Sequence, residues 1–284
     1  MGEYSRATEN DQSKQSKGGK MSYFRIQAAQ VDQYEEDGFF VVPNLLDAEE
    51  VALLSQIARA DHDLQKKKAS RADGEGGAID LVVSNELPND SIYGAIVRSE
   101  RVVLAMETVL LDEVYHYHHK MILKEPRVGG AWAWHQDYGY WYHNGCLFPH
   151  LASCMIALDH ASKENGCLQV LRGSHHLGRI EHLKVGDQTG ADPERVNAAC
   201  DRFELVHCEL EPGSGIFFDC NLLHRSDQNK SDKPRWAFIC CYNAKHNDPY
   251  KDSRHPRYLP LEKWSDDRIK EVGRKQWEKL RAEA

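Results

Sequence analysis

A chain of 284 residues, 41% hydrophobic and 28% charged, is long enough for one large domain with a real core or for two small ones. Its formal net charge of -8 and pI near 6.0 supply no basic surface for a phosphate backbone, which argues against a nucleic-acid partner, and no run of about 18 apolar residues is present to span a membrane. Eight cysteines without a Cys-x-x-Cys pair exclude zinc-ribbon and thioredoxin-like sites and read as small buried thiols of a reducing cytoplasm.

Residues 1–21 are polar, with almost nothing to bury, and are expected to form a disordered tail; no basic segment followed by an apolar one marks the start for secretion. The remainder, 22–284, is expected to be a single catalytic domain. A helical pattern runs from Tyr23 to about Asp37, followed by an apolar strand at Gly38-Phe-Phe-Val-Val-Pro43. Asp47, with Glu50 three residues on, forms a capping box for a second helix whose apolar face is Val51, Leu53, Leu54 and Ile57. Residues 65–80 are charged and then Gly-rich, a long surface loop or a mobile segment near a site entrance. Helical spacing returns over 92–112. After Asp112 the texture changes to seven strand-like runs: Val114 to Lys124, Ala131 to Asp137, Leu151 to Asp159, Cys167 to Leu171, Phe203 to Leu210, Gly215 to Asp219 and Arg235 to Tyr242. Helices followed by short strands suggest a β-sandwich or barrel carrying helices on one face. Asn165-Gly166 signals a hairpin, 172–202 reads as a functional insertion, and a helix is expected from Ser265, with Asp266 and Asp267 in its first turn.

Within this frame, Trp132-Ala-Trp-His-Gln-Asp-Tyr138 places an imidazole and a carboxylate two residues apart in a strand-like run, where i and i+2 share a face. His135 and Asp137 can close on one ion if a third ligand arrives from elsewhere, and His224, just beyond an apolar strand, offers it. Two histidines and one carboxylate are the facial set that leaves positions open on ferrous iron. Arg235 opens the next strand and can grip a carboxylate bidentately, as a dicarboxylic co-substrate requires, and Ser226 can add a hydroxyl to the same group.

The run of motifs Tyr34-Glu-Glu-Asp-Gly-Phe39, His135-Gln-Asp137, Glu164-Asn-Gly-Cys167, Gly173-Ser-His175, His224-Arg-Ser226 and Pro234-Arg235 resembles the phytanoyl-CoA dioxygenase family of iron(II)- and 2-oxoglutarate-dependent oxygenases, including its ectoine-hydroxylase-like bacterial members. The resemblance spans roughly residues 24–243. It implies a mainly β fold with flanking helices, the double-stranded β-helix or cupin-like jelly roll. It also implies Fe(II) on His135, Asp137 and His224, and 2-oxoglutarate whose distal carboxylate meets Arg235 and Ser226. With O2, such a site hydroxylates a small polar or anionic metabolite and releases succinate and CO2; the retained Asp137 implies hydroxylation and not halogenation. An acyl-CoA substrate, or a non-catalytic metal-binding barrel, is the alternative. A further 2-oxoglutarate contact is implied on the strand before the His-x-Asp motif, where His118 and Lys120 share a face; His116 has the same parity.

For the substrate, strand parity sends Trp132 and Trp134 outward beneath helices, while Tyr138, Tyr140, Trp141 and His143 lie in a loop able to cover the site. Tyr138 is a recognition candidate. Arg179 and His182, in the insertion, are candidates for an anionic group of the substrate, against the plainer reading of a solvated loop.

Overall fold

A computed structural model of the chain describes residues 23–73 and 76–283, so the expected tail of residues 1–21 lies outside the described residues. Along the chain come α1 (Ala28–Asp37), β1 (Phe39–Val42), α2 (Ala48–Ala60), α3 (His62–Lys66), β2 (Ala69–Ala72), β3 (Ala78–Ser84), α4 (Ile92–Arg98) and α5 (Glu100–Leu110). They are followed by β4 (Val114–Lys124), β5 (Trp132–His135), α6 (Asp137–Trp141), β6 (Leu151–Ala157), β7 (Leu168–Leu171), β8 (His182–Val185), β9 (Gln188–Ala191) and α7 (Pro193–Cys200). The last elements are β10 (Leu205–Cys208), β11 (Gly215–Asp219), β12 (His224–Ser226), β13 (Arg235–Ala244) and α8 (Arg268–Glu283).

Alternation of side chains along the long strands separates two apolar layers. On β4, β6 and β13, Met121, Leu123, Cys154, Ile156, Phe238 and Cys240 pack outward against Leu53, Ile57, Ile96, Val102 and Ile269 of the helices. Their neighbours Ile122, Met155, Ala157, Ile239 and Cys241 point the other way, onto Leu168 and Val170 of β7. The strands form a seven-stranded sheet in the order β1-β11-β6-β13-β4-β3-β2 and a four-stranded sheet in the order β10-β7-β12-β5, with all recorded strand pairs antiparallel. The architecture is the double-stranded β-helix with helices on the outer face of the larger sheet.

The Asp47 capping box forms as expected: its carboxylate accepts from the N–H groups of Glu49 and Glu50, and the Glu50 side chain accepts from the Asp47 N–H. Glu50 then does a second task, gripping the buried guanidinium of Arg101 through two 2.8 Å contacts, while Asp266 takes the Arg101 Nε at 3.0 Å. That task removes Asp266 from the helix first turn where the sequence places it, and α8 begins at Arg268.

Two other expectations give way and two gain detail. Residues 65–80 are not simply a loop: β2 and β3 pair as a hairpin that extends the large sheet, because Ala78-Ile-Asp-Leu-Val-Val-Ser84 is itself a strand-forming run. Asn165-Gly166 makes a turn but not a hairpin, since it links β6 in one sheet to β7 in the other. The helical stretch over 92–112 is two helices broken at Ser99, whose hydroxyl donates to the Ile96 carbonyl. The 172–202 insertion folds into the β8–β9 hairpin and α7. All eight cysteines are free, and all but Cys200 are buried. No helix among the described residues is long and apolar enough to cross a membrane.

Candidate active site

Strand β5 ends at His135, and Asp137 is the first residue of α6, so the His-x-Asp pair is not presented by strand alternation as the sequence suggests. It is presented by a strand-to-helix turn stitched in place by the residue between. The Gln136 amide donates to the carbonyls of Gly178 (2.8 Å) and Asn221 (2.6 Å), and its oxygen accepts from the Ile180 N–H (2.7 Å). Opposite it, β12 pairs His224 with His135 across the small sheet. One ligand-capable atom from each of His135, Asp137 and His224 falls within 4.8 Å of the others, and all three residues are buried.

The two imidazoles are prepared alike. His135 Nδ1 donates to the Ala133 carbonyl and His224 Nδ1 to the Leu222 carbonyl, each at 2.8 Å, which fixes the tautomer that turns a bare Nε2 lone pair outward from the backbone. Burial lowers both pKa values, and in His135 the second histidine lowers it further, so both rings are neutral, the protonation state a metal ion needs. Burial alone would raise the Asp137 carboxyl. The ammonium of Lys120 (3.4 Å from Oδ1) overcomes that and keeps it below its usual range, aided by the Ser153 hydroxyl donating to Oδ2 at 3.1 Å. A buried carboxylate with two neutral imidazoles oriented toward it is a donor set that fits ferrous iron.

Two β-bulges rearrange what surrounds this cluster. Across β5 and β12, Ser226 pairs with Trp132 while His224 pairs with His135, so β5 carries an extra residue. Trp132 therefore packs toward the interior, 5.7 Å from the His135 ring, instead of outward, whereas Trp134 lies as expected against the α7 layer. On β4 the register slips between His118, opposite Cys241, and His116, opposite Tyr242. The slip puts His116 on the outer face, 3.2 Å from His119, and leaves His118 inside with Lys120, Ile122 and Lys124.

Arg235 and Ser226, the residues expected to meet a distal carboxylate, come together at the far end of β4. Arg235 is directly opposite Lys124 in the sheet, and Lys124 Nζ donates to the Ser226 hydroxyl (3.0 Å) and to the Asp227 carbonyl. Arg235 donates from Nη2 to the Gly166 carbonyl (2.5 Å), and its buried Nε has no partner. Burial and the neighbouring guanidinium push the Lys124 amine well below its usual pKa, and burial lowers Arg235 to about 10. Among the described residues no carboxylate forms an ion pair with either. Gly166 closes the pocket at φ +75, where an added Cβ would stand 2.2 Å from the Asp227 carbonyl oxygen and 3.0 Å from Lys124 Nζ. Lys124 escaped the sequence reading, although its parity with His118 and Lys120 on one strand was the signal for it.

His118 and Lys120 lie elsewhere. At about 3.3 Å per residue, His118 is roughly 20 Å along β4 from Lys124, packed against the rings of Trp141 (5.7 Å) and His255 (5.0 Å), with its Nδ1 unpartnered. Lys120 rests on Asp137. Of the substrate candidates, His182 is committed to structure: its Nδ1 donates to the Ile180 carbonyl and its Nε2 accepts from the Gln136 N–H, leaving no ring nitrogen for an anion. The Tyr138 hydroxyl is likewise spent on the Leu147 carbonyl at 2.7 Å. Arg179 pairs with Glu181 (2.7 Å) and stacks on Tyr142 (4.3 Å), with Nη1 buried and unpartnered.

Proteins similar to this chain in sequence and fold are numerous. The profile of the family described as Phytanoyl-CoA dioxygenase (PhyH) matches residues 34–237. An ectoine dioxygenase of Bordetella bronchiseptica is 29% identical over 250 residues, covering 82% of this chain and 80% of its own. An L-proline trans-4-hydroxylase of Streptomyces griseoviridis is 26% identical over 240 residues, covering 79% and 89%. EctD from S. alaskensis, solved with 2-oxoglutarate and 5-hydroxyectoine, superposes with a TM-score of 0.70 at 23% identity over 84% of this chain and 88% of that one. The matched span runs from α1 into β13 and takes in all three ligand-capable residues, Ser226 and Arg235, so the chain belongs to the phytanoyl-CoA dioxygenase family.

Proposed function

We propose that this protein is an iron(II)- and 2-oxoglutarate-dependent dioxygenase that hydroxylates a small polar metabolite, in a single catalytic domain covering residues 22–284. The observation that carries the proposal is the pairing of two prepared receptors between the two sheets: a neutral His135–His224 pair facing the Asp137 carboxylate, and a Lys124–Arg235 pair without a carboxylate partner at the C-terminal end of β4. A metal-binding barrel with a sensing or structural role has use for the first and none for the second. A ferrous ion at such a centre, supplied with dioxygen, couples decarboxylation of 2-oxoglutarate to succinate and CO2 with insertion of one oxygen atom into a substrate C–H bond.

In this reading His135, Asp137 and His224 hold the ion on one side only and leave the opposite side for the co-substrate and dioxygen. Arg235, Lys124 and Ser226 hold the distal carboxylate, which fixes the co-substrate lengthwise before chemistry begins. Aromatic rings keep water from the two histidines: Phe218 stands 5.2 Å from His224, and Trp132 and Tyr140 stand 5.7 and 5.8 Å from His135. The names of the relatives, an ectoine dioxygenase and a proline hydroxylase, support a small polar substrate. Arg179 and His118, each with a buried unpartnered nitrogen, are the groups proposed to meet it; His182 and Tyr138 support the loop around them.

The first test is anaerobic titration of the ferrous protein with 2-oxoglutarate, in which a visible metal-to-ligand charge-transfer band is expected. A well-folded protein that binds iron and shows no band is not such an enzyme. The substrate follows from succinate release above the uncoupled background across carboxylates, phosphonates, phosphate esters, betaines and acyl-CoAs, with a small polar compound expected to lead and an acyl-CoA to overturn that choice.

A further inference from the structure

The proposed reaction leaves one buried charge without a task. Lys120 points into the chamber from the middle of β4, its side chain 17% exposed, with its ammonium 3.4 Å from Asp137 Oδ1. Ser153 donates to the other carboxylate oxygen, so both oxygens of Asp137 are occupied by donors. The Lys120–Asp137 ion pair lies on the inner face of the sheet, with the Asp137 side chain 3% exposed. The nearby imidazoles of His118 and His255 are held neutral, by burial above all, and do not share the charge. Among the described residues the Lys120 ammonium makes no hydrogen bond other than that to Asp137.

Coulomb energies in such a buried cluster are several times those in water. While the centre is empty, Lys120 offsets the cost of a buried carboxylate and fixes the direction of its Oδ1. Once a dication sits against Asp137, the same ammonium repels it, and repels a trication more. Oxidation outside turnover moves one electron from the ferrous ion to dioxygen, giving a ferric ion and superoxide. A fixed positive charge beside the centre raises the free energy of the ferric product relative to the ferrous reactant.

We propose that Lys120 is a positioning residue that guards the charge of the metal centre: its ammonium orients the Asp137 carboxylate it touches, and its fixed charge disfavours loss of an electron from a seated ferrous ion. The inference rests on the iron reading above and gives Lys120 a role distinct from binding the co-substrate.

Lys120→Met and Lys120→Arg test it, with Lys120→Gln as the neutral variant should the methionine protein not fold. Three quantities are read: ferrous affinity by anaerobic competition with a chromophoric chelator, the rate at which the high-spin ferric EPR signal grows in air without substrate, and the rise in melting temperature when metal is added. The neutral variant is expected to bind ferrous iron and to oxidise in air each about tenfold more strongly than wild type. Its metal-free form should melt lower and its metal-induced rise should be larger, and Lys120→Arg should restore wild-type behaviour. Unchanged affinity and oxidation rate in the neutral variant overturn the proposal. So does an arginine variant that behaves like the neutral one, which would make the effect one of packing. A neutral variant whose only defect is a weaker 2-oxoglutarate titration assigns Lys120 to the co-substrate instead. Wild-type protein that takes up no ferrous ion overturns the iron reading first and this inference with it.

Discussion

Lys120 and Lys124 stand four residues apart on the same face of the same strand, and their surroundings are opposite. The first is matched by the Asp137 carboxylate and is charged in the empty protein. The second faces another cation, Arg235, and has only neutral oxygens, from Ser226 and Asp227, to bind its amine. A buried cation paired with a carboxylate is complete. Two buried basic groups side by side are costly to charge together until an anion arrives, so the Lys124 end is suited to take up a proton with a carboxylate ligand.

The sharpest break of this comparison is at the Asp137 end. His135→Ala, Asp137→Ala and His224→Ala are each expected to abolish iron retention and substrate-coupled succinate formation, with circular dichroism close to wild type; normal turnover in any of the three removes that residue from the ligand set. At the other end the losses should be graded. Arg235→Ala should keep iron and weaken 2-oxoglutarate binding by about 2–5 kcal/mol, the cost of truncating one partner of a buried charge-assisted pair. Anaerobic titration of the charge-transfer band measures it, and an unchanged midpoint would move the role to another cation.

Lys124→Met should cost about 1.5–3 kcal/mol in the same titration, while leaving the binding of 2-oxopentanoate, which lacks the distal carboxylate, as it is in wild type. This variant also carries a pH signature. In the empty protein the Lys124 pKa is lowered, so above it the amine is neutral; a bound carboxylate raises the pKa and draws a proton in. Wild-type 2-oxoglutarate affinity should therefore fall as pH rises through the window between the lowered and the restored value, and Lys124→Met should flatten that slope. For folding without ligand the sign is reversed: the unfolded chain binds more protons than the native one in the window below 10.5, so stability should rise with pH there and Lys124→Met should remove the rise. Ser226→Ala, which deletes one neutral hydroxyl, should have the smallest effect, about 0.5–1.5 kcal/mol on co-substrate binding.

The same contrast shows what the amino-acid order carries and what it does not. Alternation along β11 and β13 was readable because those strands are regular, which is why Arg235 and the Cys240 and Cys241 pair fall where expected. Alternation failed wherever a bulge inserts a residue: between His116 and His118 on β4, and between Trp132 and His135 on β5. A bulge is set by the partner strand, which local sequence does not name. His135, Asp137 and His224 were found despite a wrong local geometry, since the strand stops at His135. His182 and Tyr138 suit recognition by residue type; only their neighbours reveal that backbone groups already engage their polar atoms.

The buried Arg101 bears on the order in which the chain completes itself. Glu50 is available to it almost at once, but Asp266 lies 165 residues later. At roughly 5–20 residues per second of synthesis, the guanidinium waits on the order of 8–33 seconds for its second carboxylate. Strands β1 to β3 precede Arg101, and every other strand of both sheets is made in that interval. Closing the barrel therefore precedes sealing the helical layer, and a nascent chain stalled before residue 266 would hold the ligand-bearing strands complete beneath an arginine still lacking its second carboxylate.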